Sequence, residues 1–295
     1  MSETRKGVLQ GLMAYMIWGC FPLFFALFES VPAWEVVVHR VIWSCAFLVG
    51  LITLLGQWAP IVQALKHPRG LGRVMACAVL IALNWGMFIH AIETQRAFQA
   101  SLGYFLTPLV NVALGMFVLR ETMHRLQQVA VLLAGVAIAV QLVVLGELPW
   151  ITLGLALTFG TYGLLRKQIS LDGVSGLFVE TLVLLPLALG ALIWLSSQGI
   201  SSFFETPSIT ALLLASGVLT AIPLLLFAAA ARRLKLATLG FLMYINPTMQ
   251  FLIAWLIFKE PLSPVQFSSF VLIWLSLALY SWSAWVSRGR RPAAS

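Results

Sequence analysis

Apolar residues collect along this chain in ten long windows, at 8–28, 36–55, 74–92, 100–119, 126–145, 149–165, 174–195, 209–231, 236–258 and 265–286. Each is 17 to 23 residues long, and a helix of about 20 residues crosses a hydrocarbon core of about 30 Å. The runs are continuous and lack strand alternation, so the backbone is expected to satisfy itself in helices and not in a barrel. The predicted fold class is an all-α membrane protein with ten transmembrane helices. The 88 residues outside the windows divide among nine connections and two tails, too few for an extramembrane domain. Arg5 and Lys6 precede the first window as in a signal peptide, but its apolar stretch is too long and no small-residue cleavage site follows, so it reads as a retained helix.

Composition agrees. Charged residues make up 9% of the 295, hydrophobic ones 61%, and the mean hydropathy is +0.97; a soluble domain carries about a quarter charged residues. The net charge of +8 is distributed as an address. With the amino terminus in the cytoplasm, 15 of the 18 Lys and Arg residues fall on that side, Arg96 and Lys259 fall outside, and Arg40 lies within a window. The expected location is the cell inner membrane with both termini cytoplasmic. Basic residues scattered over short separate loops do not form a nucleic-acid surface. Cys20, Cys45 and Cys77 all lie in windows and are odd in number, so no disulfide framework is expected. His39 and His90 are read as lacking a carboxylate or cysteine at ligand spacing, so neither a metal nor another cofactor is expected.

The chain repeats. Ala100-Ser101-Leu102-Gly103-Tyr104 matches Ala237-Thr238-Leu239-Gly240-Phe241 at an offset of 137, and Pro108, Glu121 and Gln127 match Pro247, Glu260 and Gln266 with the same internal spacings of 13 and 6. Trp18-Gly19 echoes Tyr162-Gly163 more weakly. The unit is thus five helices, at 1–147 and 148–295. Five is odd, so the second copy must enter the membrane from the opposite side, the inverted arrangement that suits alternating access.

Prolines stand inside five windows, as Pro22, Pro108, Pro186, Pro223 and Pro247. Each removes a backbone donor and favours a kink; Pro22, Pro108, Pro223 and Pro247 are candidate hinges, with packing kinks as the alternative. Ionisable groups within windows are few, and Arg40 and Glu180 stand out among them. Arg40 is seven residues past Ala33 and Glu180 six past Val174, which puts them about 10 Å and about 9 Å in from opposite faces. They then differ by about 10 Å in depth, which disfavours a direct ion pair unless tilt closes the gap. Either snorkels to the headgroups or faces a wet cavity, where Arg40 attracts an anionic or dipolar group and Glu180 is a candidate proton carrier. Trp18, His39, Asn84, Trp85, His90, Tyr104, Asn111, Tyr162, Tyr244, Asn246 and Gln250 supply the polar and aromatic lining expected of a substrate cavity, although each alone is as readily a helix-packing residue.

Together, Glu35-Val-Val-Val-His39-Arg40-Val-Ile-Trp43-Ser44, Asn84-Trp85, Ser101-Leu-Gly-Tyr104-Phe, Tyr162-Gly-Leu-Leu-Arg166-Lys167, Glu180-Thr181, Thr220-Ala-Ile-Pro223-Leu-Leu-Leu-Phe227 and Leu239-Gly-Phe-Leu-Met-Tyr244-Ile-Asn-Pro247 resemble the RarD branch of the EamA-type permeases, in the drug/metabolite transporter superfamily. The resemblance covers essentially the whole chain. His90 replaces an expected bulky aromatic, and Leu106-Thr107 replaces an Ile-Asn before Pro108. The resemblance implies a ten-helix bundle of two inverted repeats acting as a bacterial inner-membrane secondary transporter, usually described as a chloramphenicol-sensitivity or resistance permease.

The function expected is export of small amphipathic metabolites or drugs. The partners are a small-molecule substrate, the lipid bilayer and a proton as candidate coupling ion, in a monomer or homodimer. No G-x-x-x-x-G-K-[ST] sequence is present to bind ATP. A passive channel or lipid scramblase is the alternative. A membrane enzyme is disfavoured because H-E-x-x-H and G-x-S-x-G are absent.

Overall fold

A computed structural model describes residues 2–28, 30–65, 68–119, 125–145, 149–167, 169, 171, 173–233 and 242–289. Among these residues the structure is helical and contains no strand. The helices are α1 (Glu3–Gly19), α2 (Phe21–Phe25), α3 (Ala33–Leu55), α4 (Trp58–Leu65), α5 (Pro68–Glu93), α6 (Ala97–Leu119), α7 (Arg125–Leu145), α8 (Trp150–Lys167), α9 (Gly173–Ser197), α10 (Pro207–Arg233), α11 (Ile245–Leu252) and α12 (Pro264–Gly289). A π-helical turn, Ile253–Ile257, continues α11, and a 3-10 turn, Ser202–Phe204, precedes α10. Five stretches are long and apolar enough to cross a membrane: Glu3–Phe25, Ala33–Leu55, Gly72–Glu93, Gly173–Ser197 and Pro207–Phe227. Of the other five apolar windows, four fall on α6, α7, α8 and α12, and the described part of the window at 236–258 falls on α11 and its π turn.

Helix ends follow local chemistry. Gly56 (φ +64°) closes α3 and Gly199 (φ +69°) follows α9, both in the left-handed region that glycine enters without penalty. Gln95 (φ 55°) and Lys259 (φ 51°) do the same with a Cβ to accommodate. The connection after α3, expected as a loop, carries the short helix α4, and α5 starts at Pro68, six residues ahead of its apolar window, where a proline at the helix start loses no hydrogen bond.

The prolines divide into two kinds. Pro186 and Pro223 are inside α9 and α10 as expected. Pro22 is not inside a continuous helix: α1 ends at Gly19, and Pro22 occupies the first positions of α2, where its missing N–H is not needed. Pro247 is likewise in the first turn of α11, just after a break at Tyr244. The backbone of Pro108 continues α6, and its side chain lies outside the described residues.

Neighbours in the chain are not the main packing partners. α1 packs on α10, α3 on α9 and α10, α5 on α8 and α9, α6 on α8 and α11, and α7 on α12. Glycines let these helices approach closely, as small residues do at membrane helix contacts. A Cβ on Gly217 of α10 would come within 2.4 Å of the Trp43 carbonyl carbon on α3, and one on Gly103 of α6 within 2.9 Å of Leu155 Cβ on α8. Hydroxyls pin the same crossings: Ser44 Oγ donates to the Gly217 carbonyl at 3.2 Å, and Thr152 Oγ1 to the Gln99 carbonyl at 2.9 Å.

Candidate functional site

Arg40 is 2% exposed on α3 and forms the centre of the first polar cluster. Its Nε donates to Thr220 Oγ1 on α10 at 3.0 Å, and that hydroxyl in turn donates to the Ser216 carbonyl at 2.7 Å. The guanidinium lies 4.3 Å from the ring centroid of Trp85, 5.0 Å from Phe25 and 5.8 Å from Phe21, a cation–π setting on three sides. Asn84, one residue before Trp85 on α5, donates to the Leu155 carbonyl at 3.1 Å and to Thr158 Oγ1 at 3.0 Å, and accepts from Tyr104 at 3.1 Å.

A ladder of rings leads from this cluster to a second one. Phe25 meets Phe88 at 5.9 Å, Phe88 meets Tyr104 at 5.7 Å, Tyr104 meets Phe159 at 6.0 Å, and Phe159 meets Tyr162 at 5.9 Å. Tyr162 donates to Glu180 Oε2 at 3.2 Å, and Arg166 Nε is 3.6 Å from Glu180 Oε1. Glu180 is 1% exposed. Gly176 makes room for the arginine, since a Cβ there would lie 1.9 Å from Arg166 Nη2. The sequence set Arg40 and Glu180 at different depths, and the structure gives each its own partners.

The third cluster joins α1 to α11. Gln250 Nε2 donates to Asn246 Oδ1 at 2.8 Å and to the Trp18 carbonyl at 3.4 Å. The Trp18 ring packs with Tyr15 and Phe227, and Tyr244 packs against the largest apolar cluster. Ser101 Oγ donates to the Pro247 carbonyl at 2.7 Å, which ties α6 to the start of α11.

The two histidines stand apart from these clusters, and each has the carboxylate neighbour that the sequence reading denied it. His39 Nδ1 accepts from Trp43 Nε1 at 3.1 Å, so its proton sits on Nε2, 4.0 Å from Glu35 Oε1. One helical turn separates the two, which is why they meet. His90 Nδ1 is 3.5 Å from Glu93 at the end of α5, half exposed against Trp150. Among the described residues no three His, Cys, Asp or Glu side chains converge as a metal set. The Asn111 side chain lies outside the described residues.

Two further carboxylates tie distant segments together. Glu35 Oε1 accepts from Ser202 N at 2.7 Å and Ser201 Oγ at 3.1 Å, and its Oε2 from Ser202 Oγ at 3.0 Å. Phe203 then stacks on His39 at 4.8 Å. Glu260 Oε1 accepts from Ala97 N at 2.7 Å and Oε2 from Phe98 N at 3.0 Å, so a carboxylate from a distant loop caps the start of α6. Burial raises the Glu260 carboxyl above its ordinary range, and the two N–H donors oppose that shift. Phe28, Val31, Ile92 and Phe98 belong to one apolar cluster, and Phe203, Phe258 and Leu262 pack against it. The sequence reading passed over Glu35, Arg166, Thr220 and Glu260 as site residues. In sequence Arg166 is one of many cytoplasmic charges and Glu260 one mark of the repeat; the signal that sets both apart is an acid or base at the very edge of an apolar window.

A helical chain that buries Arg40 and Glu180 among membrane-length apolar helices is a multi-pass membrane protein, and its relatives make it a transporter. The EamA-like transporter family model matches residues 5–143. Protein RarD of Escherichia coli is 43% identical over 94% of this chain and 94% of its own length. An uncharacterized transporter of Pseudomonas aeruginosa is 44% identical over 99% and 98%. The chloramphenicol-sensitive protein RarD of the same species is 32% identical over 96% of each. The chain belongs to the EamA-like transporter family, as a RarD-type permease. A solved crystal structure 18% identical in sequence shares its fold, with a TM-score of 0.61 over 93% of this chain and 96% of that one.

Proposed function

We propose that the chain is a secondary transporter of the bacterial inner membrane that exports small amphipathic metabolites or drugs by alternating access. Its two five-helix halves, 1–147 and 148–295, enter the bilayer from opposite sides, with both termini in the cytoplasm. The observation that carries this reading is the reciprocal pair of joints between the proposed halves. Glu35 of the first half grips Ser201 and Ser202 of the second, and Glu260 of the second half grips Ala97 and Phe98 of the first. On the proposed topology both joints lie on the outer face, which is therefore closed, and the Arg40 cluster lies below it.

The packing partners support the duplication. If α1 exchanges with α8, α3 with α9, α5 with α10, α6 with α11 and α7 with α12, every partnership named above maps onto another or onto itself: α1 on α10 becomes α8 on α5, and α6 on α8 becomes α11 on α1. The breaks beside Pro22 and Pro247, and Pro108 and Pro223 within α6 and α10, are the hinges of the motion. In the cavity, Arg40, Trp85, Asn84 and Tyr104 form the substrate wall and Glu180 takes up and releases the coupling proton, with Arg166 as its counter-charge when ionised. The relative named for chloramphenicol sensitivity makes that antibiotic a rational member of a test panel.

Counterflow in proteoliposomes with a panel of metabolites and antibiotics, with and without a pH gradient, tests the reading. Saturable exchange accelerated by the gradient is expected, and Glu180→Gln should abolish the acceleration while leaving the folded protein intact. Non-saturating flux without counter-transport would indicate a channel or scramblase instead.

A further inference from the structure

We propose that the transported molecule is an organic carboxylate, that its charge is held by the terminal nitrogens of Arg40, and that its apolar body lies against Trp85, Phe25 and Phe21. The proposal rests on the carrier reading above and narrows its substrate.

A guanidinium buried among apolar helices is unfavourable unless something neutralises it. Among the described residues no carboxylate lies within ion-pair distance of Arg40, and its hydrogen bonding is confined to the single Nε bond to Thr220. The described acids nearest the bundle's interior are committed elsewhere: Glu35 to the serines at 201 and 202, Glu180 to Arg166 and Tyr162, and Glu260 to the start of α6. Ring faces soften the cost but carry no net charge. The neighbouring polar groups do not help either. Asn84 gives its amide hydrogens to Leu155 and Thr158 and accepts from Tyr104, so these groups satisfy one another.

The remaining donors are also pre-aimed. Thr220 gives its proton to the Ser216 carbonyl, which leaves a lone pair for Arg40 Nε and fixes the plane of the guanidinium. The two Nη groups in that plane match the two oxygens of a carboxylate, the pairing for which arginine is better suited than lysine. A neutral amide or alcohol of the same shape would leave the charge uncompensated. The aromatic walls suit a flat or branched apolar body next to the acid. An anion leaving a cell with a negative interior moves down the electrical gradient, consistent with export.

Binding to the full-length detergent-solubilised protein tests the proposal, using benzoate, 2-naphthoate and indole-3-acetate, each paired with its carboxamide. At least one acid is expected to bind tenfold or more tightly than its amide and to raise the unfolding temperature. Arg40→Gln should abolish that preference and Arg40→Lys should keep part of it. Thr220→Val, nearly isosteric and leaving the charge in place, should weaken the acid severalfold and leave the amide unchanged, so the test survives even if Arg40→Gln does not fold. Equal binding of acid and amide, an acid preference that survives in Arg40→Gln, or no binding of any acid would overturn the proposal. Counterflow separates the two readings: acids that bind through Arg40 without exchanging would sink the carrier and leave Arg40 a carboxylate-binding site only, whereas saturable exchange indifferent to charge and to Arg40 would overturn the carboxylate proposal and spare the carrier.

Discussion

Glu260 accepts the backbone N–H of Ala97 at 2.7 Å across 163 positions of sequence, and with its second oxygen it takes the N–H of Phe98. The first turn of α6 has no partners of its own for these amides, so a residue near the far end of the chain supplies its cap. Glu260→Gln keeps the shape but turns one of the two acceptor oxygens into an NH2 donor facing an N–H donor, and should cost about 1–2 kcal/mol. Thermal unfolding in detergent measures it. The pH dependence has a definite sign. Burial raises the folded carboxyl above its ordinary 4.5, so the folded state holds the proton more tightly than the unfolded chain. The stability from that preference is fully present below the unfolded value and is lost as pH rises through the folded one. The unfolding temperature of the wild type relative to Glu260→Gln should therefore fall as pH rises.

Gly217 and Gly190 should respond oppositely to alanine. A Cβ at 217 would stand 2.4 Å from Trp43 and 2.6 Å from the Ser44 nitrogen, backbone that cannot turn aside, whereas at 190 it meets nothing within 4 Å. Gly217→Ala forces α3 and α10 apart and should destabilise by about 1–3 kcal/mol. Gly190→Ala, in the middle of α9, should be neutral or stabilising by about 0.5–1 kcal/mol. Unfolding of the two variants in the same detergent gives the comparison, and equal effects would remove the close-crossing explanation.

Gly176→Ala tests the Glu180 cluster without touching an ionisable group. Its Cβ would occupy the place of Arg166 Nη2 and displace the guanidinium from Glu180. Weakening the ion pair of a buried acid that keeps its Tyr162 hydrogen bond should cost about 1–3 kcal/mol of stability. If the pair also serves proton uptake, the pH profile of counterflow should change, because Glu180 has lost its cation. Arg166→Lys, which keeps a positive charge, should shift it less.

Much of the fold was legible because the apolar windows are longer than chance allows in a soluble chain. What periodicity could not give was the break at Cys20. Pro22 reads as an interior kink when the window is taken as one helix, yet a proline is equally at home starting a new one, and only tertiary packing chooses. The Arg40 neighbourhood was half legible: Asn84, Trp85 and Tyr104 were named as lining, while Thr220 and Phe25 were not, since nothing local tells a threonine or phenylalanine that it will face an arginine 180 or 15 positions away. Glu35 shows the opposite failure. It sits one turn before His39 in plain view, but its real partners are loop serines at 201 and 202, whose positions depend on how distant segments meet.

The central claim is that the two halves must part at the joint between Glu35 and Ser202 for substrate to pass. In a background with Cys20, Cys45 and Cys77 replaced, Glu35→Cys with Ser202→Cys should be bridged by a short bis-methanethiosulfonate, because the native side chains meet at 3.0 Å. Counterflow in proteoliposomes before bridging, after bridging and after reduction is the decisive measurement. The account predicts that bridging stops exchange and that reduction restores it; undiminished exchange through the bridged protein would contradict it.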